Sequence, residues 1–487
     1  MTVRGAPITL SGQPLSFSDI ARIGARRASL AADPAALKRV AEARVVVEAA
    51  IANHQPVYGS TTGVGAMKDV EWSDDQLDAF NMGLVRAHHF GTGDAFSSEI
   101  VRTAMAIRVN MALTGRVGCT TDLVEAYLAL LSANVVPVVR RTGSIGCADI
   151  GLMGQIGAVL TGAGEAVFDG RRLPAGDALA AAGLKPFRLA PRDSLASIST
   201  NAVGYAAASR DPWKAVAHVG TEREAGVGAW LYFNAKGWDW PDATHIQDPL
   251  SLRMMSQVFA TGFETLAAAG KILLAATGRT DDNPVVAGGQ VLTSGGSLPL
   301  DVTVFLQTAQ LGLAHIARNS FNRCVLLGNG GRRGLPVNLV QPGAIATGFG
   351  PIIKLAGELF ARVLTMTSPI SANSMVVAGG IEDEAAFLPL VVERLERQVL
   401  ALRRLAALEG ILAAQAMDIS GDQPGNVPGI VYALVRRHAD TYWQDRPLSA
   451  EVEAVEQALA SDALMNELIS HSTIMELDEF FALGPVA

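Results

Sequence analysis

Few residues in this chain have types and spacings that could do chemistry by themselves. His88 and His89 are the only adjacent histidines, and Asp281-Asp282 and Asp383-Glu384 are acid pairs. Neighbouring positions on a helix point apart, so the two histidines are not expected to share a metal ion. The acid pairs read as loop and helix-start acids, the latter favoured by the helix dipole. No Walker loop, no GxGxxG after a strand and no HExxH occurs. Cys119, Cys147 and Cys324 are too few and too scattered for a disulfide framework or a metal cluster. They read as small buried hydrophobes in a reducing compartment.

The elements that must position any site are mainly helical. Val392, Leu395, Val399, Leu402 and Ala406 recur at three- and four-residue steps, with Glu393, Arg394, Glu396, Arg397, Arg403 and Arg404 on the other face. That pattern predicts one long amphipathic helix from Glu382 to Asp418. Segments from Glu99 to Leu113, Leu123 to Leu131, Val302 to Ala317 and Ile352 to Leu364 read similarly. Ser449 reads as an N-cap, with Glu451 and Glu453 in the first turn. Strand signals are short, around Val136 to Val139 and Val285 to Leu292. Gly-rich interruptions fall at Gly59 to Gly65, Gly143 to Gly151, Gly288 to Gly296 and Gly328 to Gly334. No fixed-period repeat or low-complexity linker breaks the chain into modules.

The 487 residues are 49% hydrophobic and 18% charged, with a net charge of −8. Such a composition predicts apolar surface hidden in an oligomer interface. An acidic chain is not expected to bind nucleic acid, which needs a basic face. The start, Met1-Thr2-Val3-Arg4-Gly5, has no apolar signal-peptide core, and apolar runs elsewhere read as broken before they could span a bilayer. The expectation is a soluble cytoplasmic protein with no membrane partner.

The loops read together are more specific than any single residue. Tyr58-Gly59-Ser60-Thr61-Thr62-Gly63-Val64-Gly65 resembles the Tyr-Gly-x-Asn-Thr-Gly-Phe-Gly stretch of aromatic amino acid ammonia-lyases. Ala87 to Gly93 resembles their Ser-His-x-x-Gly-x-Gly, and Gly143-Ser144-Ile145-Gly146 the lead-in to their electrophile loop. Gln247-Asp248-Pro249-Leu250-Ser251-Leu252-Arg253 resembles Gln-Asp-Pro-Tyr-Ser-Leu-Arg. Asp282-Asn283-Pro284, Ser294-Gly295-Gly296 and Glu382-Asp383 follow in family order. The resemblance implies an all-α fold with a long central helical bundle of the aromatic amino acid lyase and fumarase-like type. It implies one lyase subunit over residues 1–487. Residues 1–200 would be the N-terminal part, 201–430 the central bundle and 431–487 the C-terminal helices. It further implies a homotetramer with active sites shared between subunits.

By the same resemblance, Tyr58 falls on the family's catalytic base, which takes a proton from the substrate β-carbon. A tyrosine titrates at about 10, so its surroundings must poise it. Arg253 falls on the arginine that grips the substrate carboxylate. His88 and Glu382 fall on positions lining the ring pocket.

The family cyclises Ala-Ser-Gly into methylidene-imidazolone, which captures the substrate amine. Here Gly-Ala-Ser-Gly-Asp-Leu is replaced by Gly146-Cys147-Ala148-Asp149-Ile150, one residue shorter and without the serine. The cofactor is therefore expected to be absent. The tyrosine of Gln-Asp-Pro-Tyr is Leu250. The asparagine of Leu-Leu-Asn-Gly-Thr aligns near Ser199, with Asn201 able to replace it after a two-residue shift. A quaternary trimethylammonium needs no such electrophile and has no lone pair to add to one. The reading is therefore a branch acting on an aromatic α-trimethylammonio acid, with ergothioneine as the small-molecule substrate and trimethylamine as a product. Lys354, in an otherwise apolar stretch, is costly to bury without an anion. With Glu382 it could read a thioimidazole, ammonium to sulfur and carboxylate to ring N–H. Two alternatives stand beside this. A Cys147-derived electrophile would give a histidine or aromatic amino acid ammonia-lyase or aminomutase, and a catalytically inactive family member would only bind a ligand or partner.

Overall fold

The computed structural model describes residues 6–209, 249–330, 335–373, 375–421 and 426–461, with 463, 464 and 467. Helices dominate, as expected. Among the described residues the strands are two to four residues long and form four small sheets.

Three long helices make the central bundle: Met255–Ala276, Leu300–Gly328 and Leu388–Ser420. The stripe foreseen on the third is its buried face, with Val392, Leu395, Val399, Leu402 and Ala406 all buried. Further along, from Leu405 to Met417, the helix is buried on every side. Arg323 and Glu409 tie the second and third helices together in the core, Arg323 Nη2 standing 2.9 Å from Glu409 Oε2. Gly421, at φ +74°, ends the third helix in the left-handed cap that glycine adopts at least cost.

That helix starts at Leu388 and not at Glu382. Phe387 sits at φ +53° and donates its N–H to Ile145 O (2.8 Å), so a tertiary bond takes the place of the first helical turn. The segment before it is an irregular loop, which puts Glu382, Asp383 and Glu384 off the helix.

The other expected helices are present as Ser98–Ala112, Thr121–Ala133 and Ile353–Thr365. Ser97 and Thr120 cap the first two, their hydroxyls accepting the N–H of Ile100 and Leu123. Ser449 is not a cap. Leu448 holds that place, and Arg446 pairs with Glu451 at 2.8 Å across the first turn instead. The expected strand over Val285 to Leu292 is a hairpin, Val285–Ala287 with Gln290–Leu292. Gly288 and Gly289, both at positive φ, form its two-residue turn.

One helix departs from the reading of the apolar runs. Gln257–Ala276 is long and apolar enough to cross a membrane by length and composition. It carries Glu264 and Lys271 and packs along Leu300–Gly328 in the bundle. Val304, Leu311, Leu390 and Leu400 remain exposed on the flanks of the bundle helices.

Candidate active site

Strands Thr92–Ala95 and Arg140–Thr142 pair antiparallel and feed the chain into a loop over residues 143–149. The helix Ile150–Leu160 leads out of it. Both ends of the loop are pinned. At the first, Gly146 has φ +73° and presses on the backbone, where an added Cβ would stand 2.6 Å from the nitrogens of Phe387 and Leu388. Only glycine meets both demands. At the second, Asp149 N donates to Thr200 O at 2.8 Å. Its buried carboxylate accepts from Gly204 N (2.7 Å) and Ser144 Oγ (2.8 Å). Burial pushes the Asp149 carboxyl up to about 7 against the pull of those two bonds, and Asp281 adds to the rise.

Only Cys147 and Ala148 lie between these posts. Ala148 is held at φ +54°, a conformation costing a non-glycine residue about 1–2 kcal/mol. Its N–H donates to Ser297 O at 2.8 Å. Cys147 Sγ lies 3.7 Å from Ser297 Oγ. Burial raises the Cys147 pKa, the Ser297 contact opposes this, and Glu382 and Glu384 add to the rise, so the group is a thiol at neutral pH.

Tyr58 belongs to a tight turn in which the N–H groups of Ser60, Thr61 and Thr62 all point at Val57 O. Its Oη accepts the Gly65 N–H at 2.9 Å. The turn Gly65–Met67 packs against the turn Ala378–Gly380, and Val377 N donating to Glu382 O (2.9 Å) closes the latter. This brings Glu382 within electrostatic reach of both Tyr58 and Cys147. Burial raises the Tyr58 phenol, the Gly65 N–H pulls it down, and Glu382 and Cys147 push it up again. The single chain therefore holds Tyr58 as a phenol, opposite to the poise that a base requires.

Beneath the loop lies a polar floor; the sequence reading placed Asn201 in the site but took Asp281 and Asp282 for loop acids. Asn201, wholly buried, gives its backbone N–H (2.7 Å) and Nδ2 (2.9 Å) to Asp281 Oδ2. The same Nδ2 donates to Ser297 O at 3.0 Å. Asp282 meets Arg108 Nη1 at 2.7 Å and Arg192 Nη2 at 2.8 Å, all three buried. Arg192 also binds Pro284 O and Val117 O. The pair read as loop acids is thus a core element. The available signal was Arg108, the one charged residue in the largely apolar run from Ala104 to Ala112. Burial pushes Asp281 up to about 6, with Asp282 beside it adding to the rise.

The remaining expected residues lie around this centre. His88 ends the helix Asp74–Ala87, its Nδ1 donating to Leu84 O at 2.7 Å. Gly154 lets the helix Ile150–Leu160 approach it, since a Cβ there would stand 2.3 Å from His88 O. Ser199 Oγ accepts from Asn283 N at 3.4 Å, while Asn201 is the one that reaches Ser297. Leu250 is 60% exposed at the start of the short helix Leu250–Arg253, and Arg253 is exposed at its end. Lys354, second residue of Ile353–Thr365, is also exposed, so the burial cost foreseen for it is not incurred within one chain. Gln247 and Asp248, and residues 331–334 of the Gly-rich stretch, lie outside the described residues. Among the described residues no group of three His, Cys, Asp or Glu side chains could hold a metal ion.

Comparison with known proteins bears on the family and the fold. A histidine ammonia-lyase of Treponema denticola is 27% identical over 497 residues, covering 94% of this chain and 97% of the relative. One from Geobacillus thermodenitrificans is 26% identical, covering 96% and 100%. Among solved structures, the ergothioneine-degrading enzyme ergothionase from Treponema denticola, in complex with desmethyl-ergothioneine sulfonic acid, superposes with a TM-score of 0.90. It is 26% identical and covers 95% of this chain and 100% of that one. Histidine ammonia-lyase from Trypanosoma cruzi shares the fold, with a TM-score of 0.85 at 22% identity, covering 98% and 97%. The aromatic amino acid lyase profile matches residues 15–221 and 230–437. The chain belongs to the aromatic amino acid lyase family.

Proposed function

We propose that this chain eliminates trimethylamine from ergothioneine, or a closely related aromatic α-trimethylammonio acid, and does so without methylidene-imidazolone. The observation that carries the reading is the loop between Gly146 and Asp149. Cyclisation there would require Ala148 N to leave Ser297 O and attack the Gly146 carbonyl carbon, and Cys147 to shed hydrogen sulfide where serine sheds water. The Ala148 amide is engaged at 2.8 Å, and alanine stands where the cyclising tripeptide has an unhindered glycine. These residues do not fit the group.

The leaving group explains why none is needed. A substrate ammonium carries N–H protons more acidic than the β-C–H, so a base titrates nitrogen first, and free ammonia leaves poorly. Capture of the amine by an electrophile removes both obstacles. A trimethylammonium group has no N–H. Tyr58 takes the β-proton, the C–H electron pair becomes the Cα–Cβ double bond, and the C–N pair departs on neutral trimethylamine. The permanent cation also supplies what the single chain lacks. A positive charge beside Tyr58 lowers its pKa against the burial that raises it.

In this reading Arg253 grips the substrate carboxylate, and His88 and Glu382 line the ring pocket. Lys354 faces the sulfur, and Leu250 leaves room for N-methyl groups. The outward placement of Leu250, Arg253 and Lys354, with the exposed apolar residues of the bundle helices, supports a homotetramer whose neighbouring subunits complete each site. The likeness to the ergothionase structure supports the same substrate class.

The test is to incubate the purified protein separately with ergothioneine and histidine, following the ultraviolet band of the conjugated acrylate and assaying the amine. Trimethylamine from ergothioneine, with histidine untouched, is the expected result. Ammonia from histidine would mean that an electrophile forms after all. No turnover of either would point to an inactive family member. Lys354→Met is expected to lower kcat/KM about tenfold more for ergothioneine than for histidine betaine, a lost charge-assisted hydrogen bond being worth about 1.5–3 kcal/mol. Equal losses on both substrates would remove the sulfur-reading role.

A further inference from the structure

Asp281 has no role in the proposed chemistry, yet its placement is costly. It is wholly buried beside a second acid. Arg108 and Arg192 bond to Asp282, and among the described residues the hydrogen bonds to Asp281 come from Asn201. Those bonds are the first link of a chain. Asp281 Oδ2 accepts both nitrogens of Asn201, which fixes the amide with Nδ2 toward Asp281 and Ser297. Two acceptors face Nδ2, so a flipped amide would set oxygen against oxygen. Ser297 O receives that Nδ2 at 3.0 Å and the Ala148 N–H at 2.8 Å, and Ser297 Oγ stands 3.7 Å from Cys147 Sγ. Together the links run from the floor to the two residues that replace the family's electrophile.

The first link also explains how Ala148 keeps a left-handed conformation. A residue at φ +54° stays there only when its surroundings over-determine it. Gly146 and Asp149 fix the ends, and Ser297 O fixes the middle through the Ala148 N–H. Ser297 follows the hairpin Val285–Leu292 on an irregular segment, and its carbonyl is oriented by Asn201 from below. Without Asp281, Asn201 could rotate and release that carbonyl.

We infer that Asp281 is a positioning residue for the reaction, holding the Cys147–Ala148 wall of the site in place through Asn201 and Ser297. The role in turnover rests on the lyase reading above; the placement of the wall does not, and the two are tested apart. Cys147 serves as the reporter, because Cys119 and Cys324 are wholly buried and Cys147 is not. The experiment compares wild type, Asp281→Ala and Asp281→Asn as folded full-length proteins. It measures iodoacetamide alkylation of Cys147 by mass spectrometry, and kcat and KM on ergothioneine.

Asp281→Ala removes the acceptor and frees the chain of bonds. Its Cys147 alkylation rate is expected to change at least fivefold, and its kcat to fall about 30-fold with KM within about threefold. Asp281→Asn keeps one oxygen that can accept both Asn201 nitrogens. It is expected to restore alkylation to within about twofold of wild type and most of kcat. Equal alkylation in all three proteins, including none in any, would overturn the inference. So would an Asp281→Asn variant as altered as Asp281→Ala, since charge and not hydrogen bonding would then be at work. If Asp281→Ala fails to fold, Ser297→Pro is not a substitute. Asn201→Leu then cuts the same chain one link later, and unchanged Cys147 alkylation in it would equally overturn the inference. Should no protein turn over ergothioneine while the alkylation pattern holds, the positioning stands and the substrate reading falls.

Discussion

Tyr58→Phe is expected to lower kcat about 10³-fold, within the range that a positioned acid–base group supplies, while substrate binding stays within about threefold. The ring remains, so packing of the turn is kept. The Gly65 N–H loses its acceptor, a local loss of about 0.5–1.5 kcal/mol. Isothermal titration with substrate separates the two effects. A variant with normal activity would remove Tyr58 from the role of base. The pH profile gives a second view. Burial, Glu382 and Cys147 hold the free Tyr58 phenol above its ordinary value, so kcat/KM of the wild type is expected to keep rising with pH through the alkaline range. A bound trimethylammonium lowers the phenol in the complex, so the rise in kcat is expected at lower pH than the rise in kcat/KM. Profiles with both rises at the same pH would show that the substrate cation does not assist ionisation.

Asp282→Ala is expected to destabilise the fold by about 3–5 kcal/mol, since it leaves buried Arg108 and Arg192 without their shared counter-charge. Urea unfolding of the purified proteins measures this, with the loss visible also as a lower yield of folded protein. Arg279 and Asp301 provide the control. They too form a pair with two short hydrogen bonds, but on the surface, where Asp301→Asn is expected to cost less than about 1 kcal/mol. Similar losses at both sites would show that burial does not set the difference.

Much of the fold was legible because helical periodicity and glycine punctuation are local signals. The stripe from Val392 to Ala406 fixed the face of the longest helix, and the glycine clusters marked the loops that surround Tyr58 and precede Ile150. What stayed hidden was non-local. Phe387 and Ala148 adopt left-handed conformations that a sequence would sooner give to glycine, each bonded to a partner distant in sequence. The helix expected from Glu382 begins at Leu388 for that reason, with Ile145 O as the deciding partner. Asp281 and Asp282 resembled solvent-facing loop acids because nothing nearby in sequence pairs with them. Their partners, Asn201, Arg108 and Arg192, lie 80 or more positions away. For the site, the resemblance supplied Tyr58, Glu382 and the altered loop, which the fold brings together. It also supplied Leu250, Arg253 and Lys354, which face outward in a single chain.

The two pinned ends of the Gly146–Asp149 loop bear on how such a protein could change over generations. Rebuilding Ala-Ser-Gly requires three residues where two now span the gap. Gly146 cannot become the alanine, because its Cβ would collide with the backbone at Phe387 and Leu388. Asp149 cannot shift to make room without abandoning Thr200, Gly204 and Ser144. Point substitution alone therefore cannot restore Ala-Ser-Gly itself in this loop. A lineage carrying this loop could regain that tripeptide only through an in-frame insertion, accompanied by two further replacements.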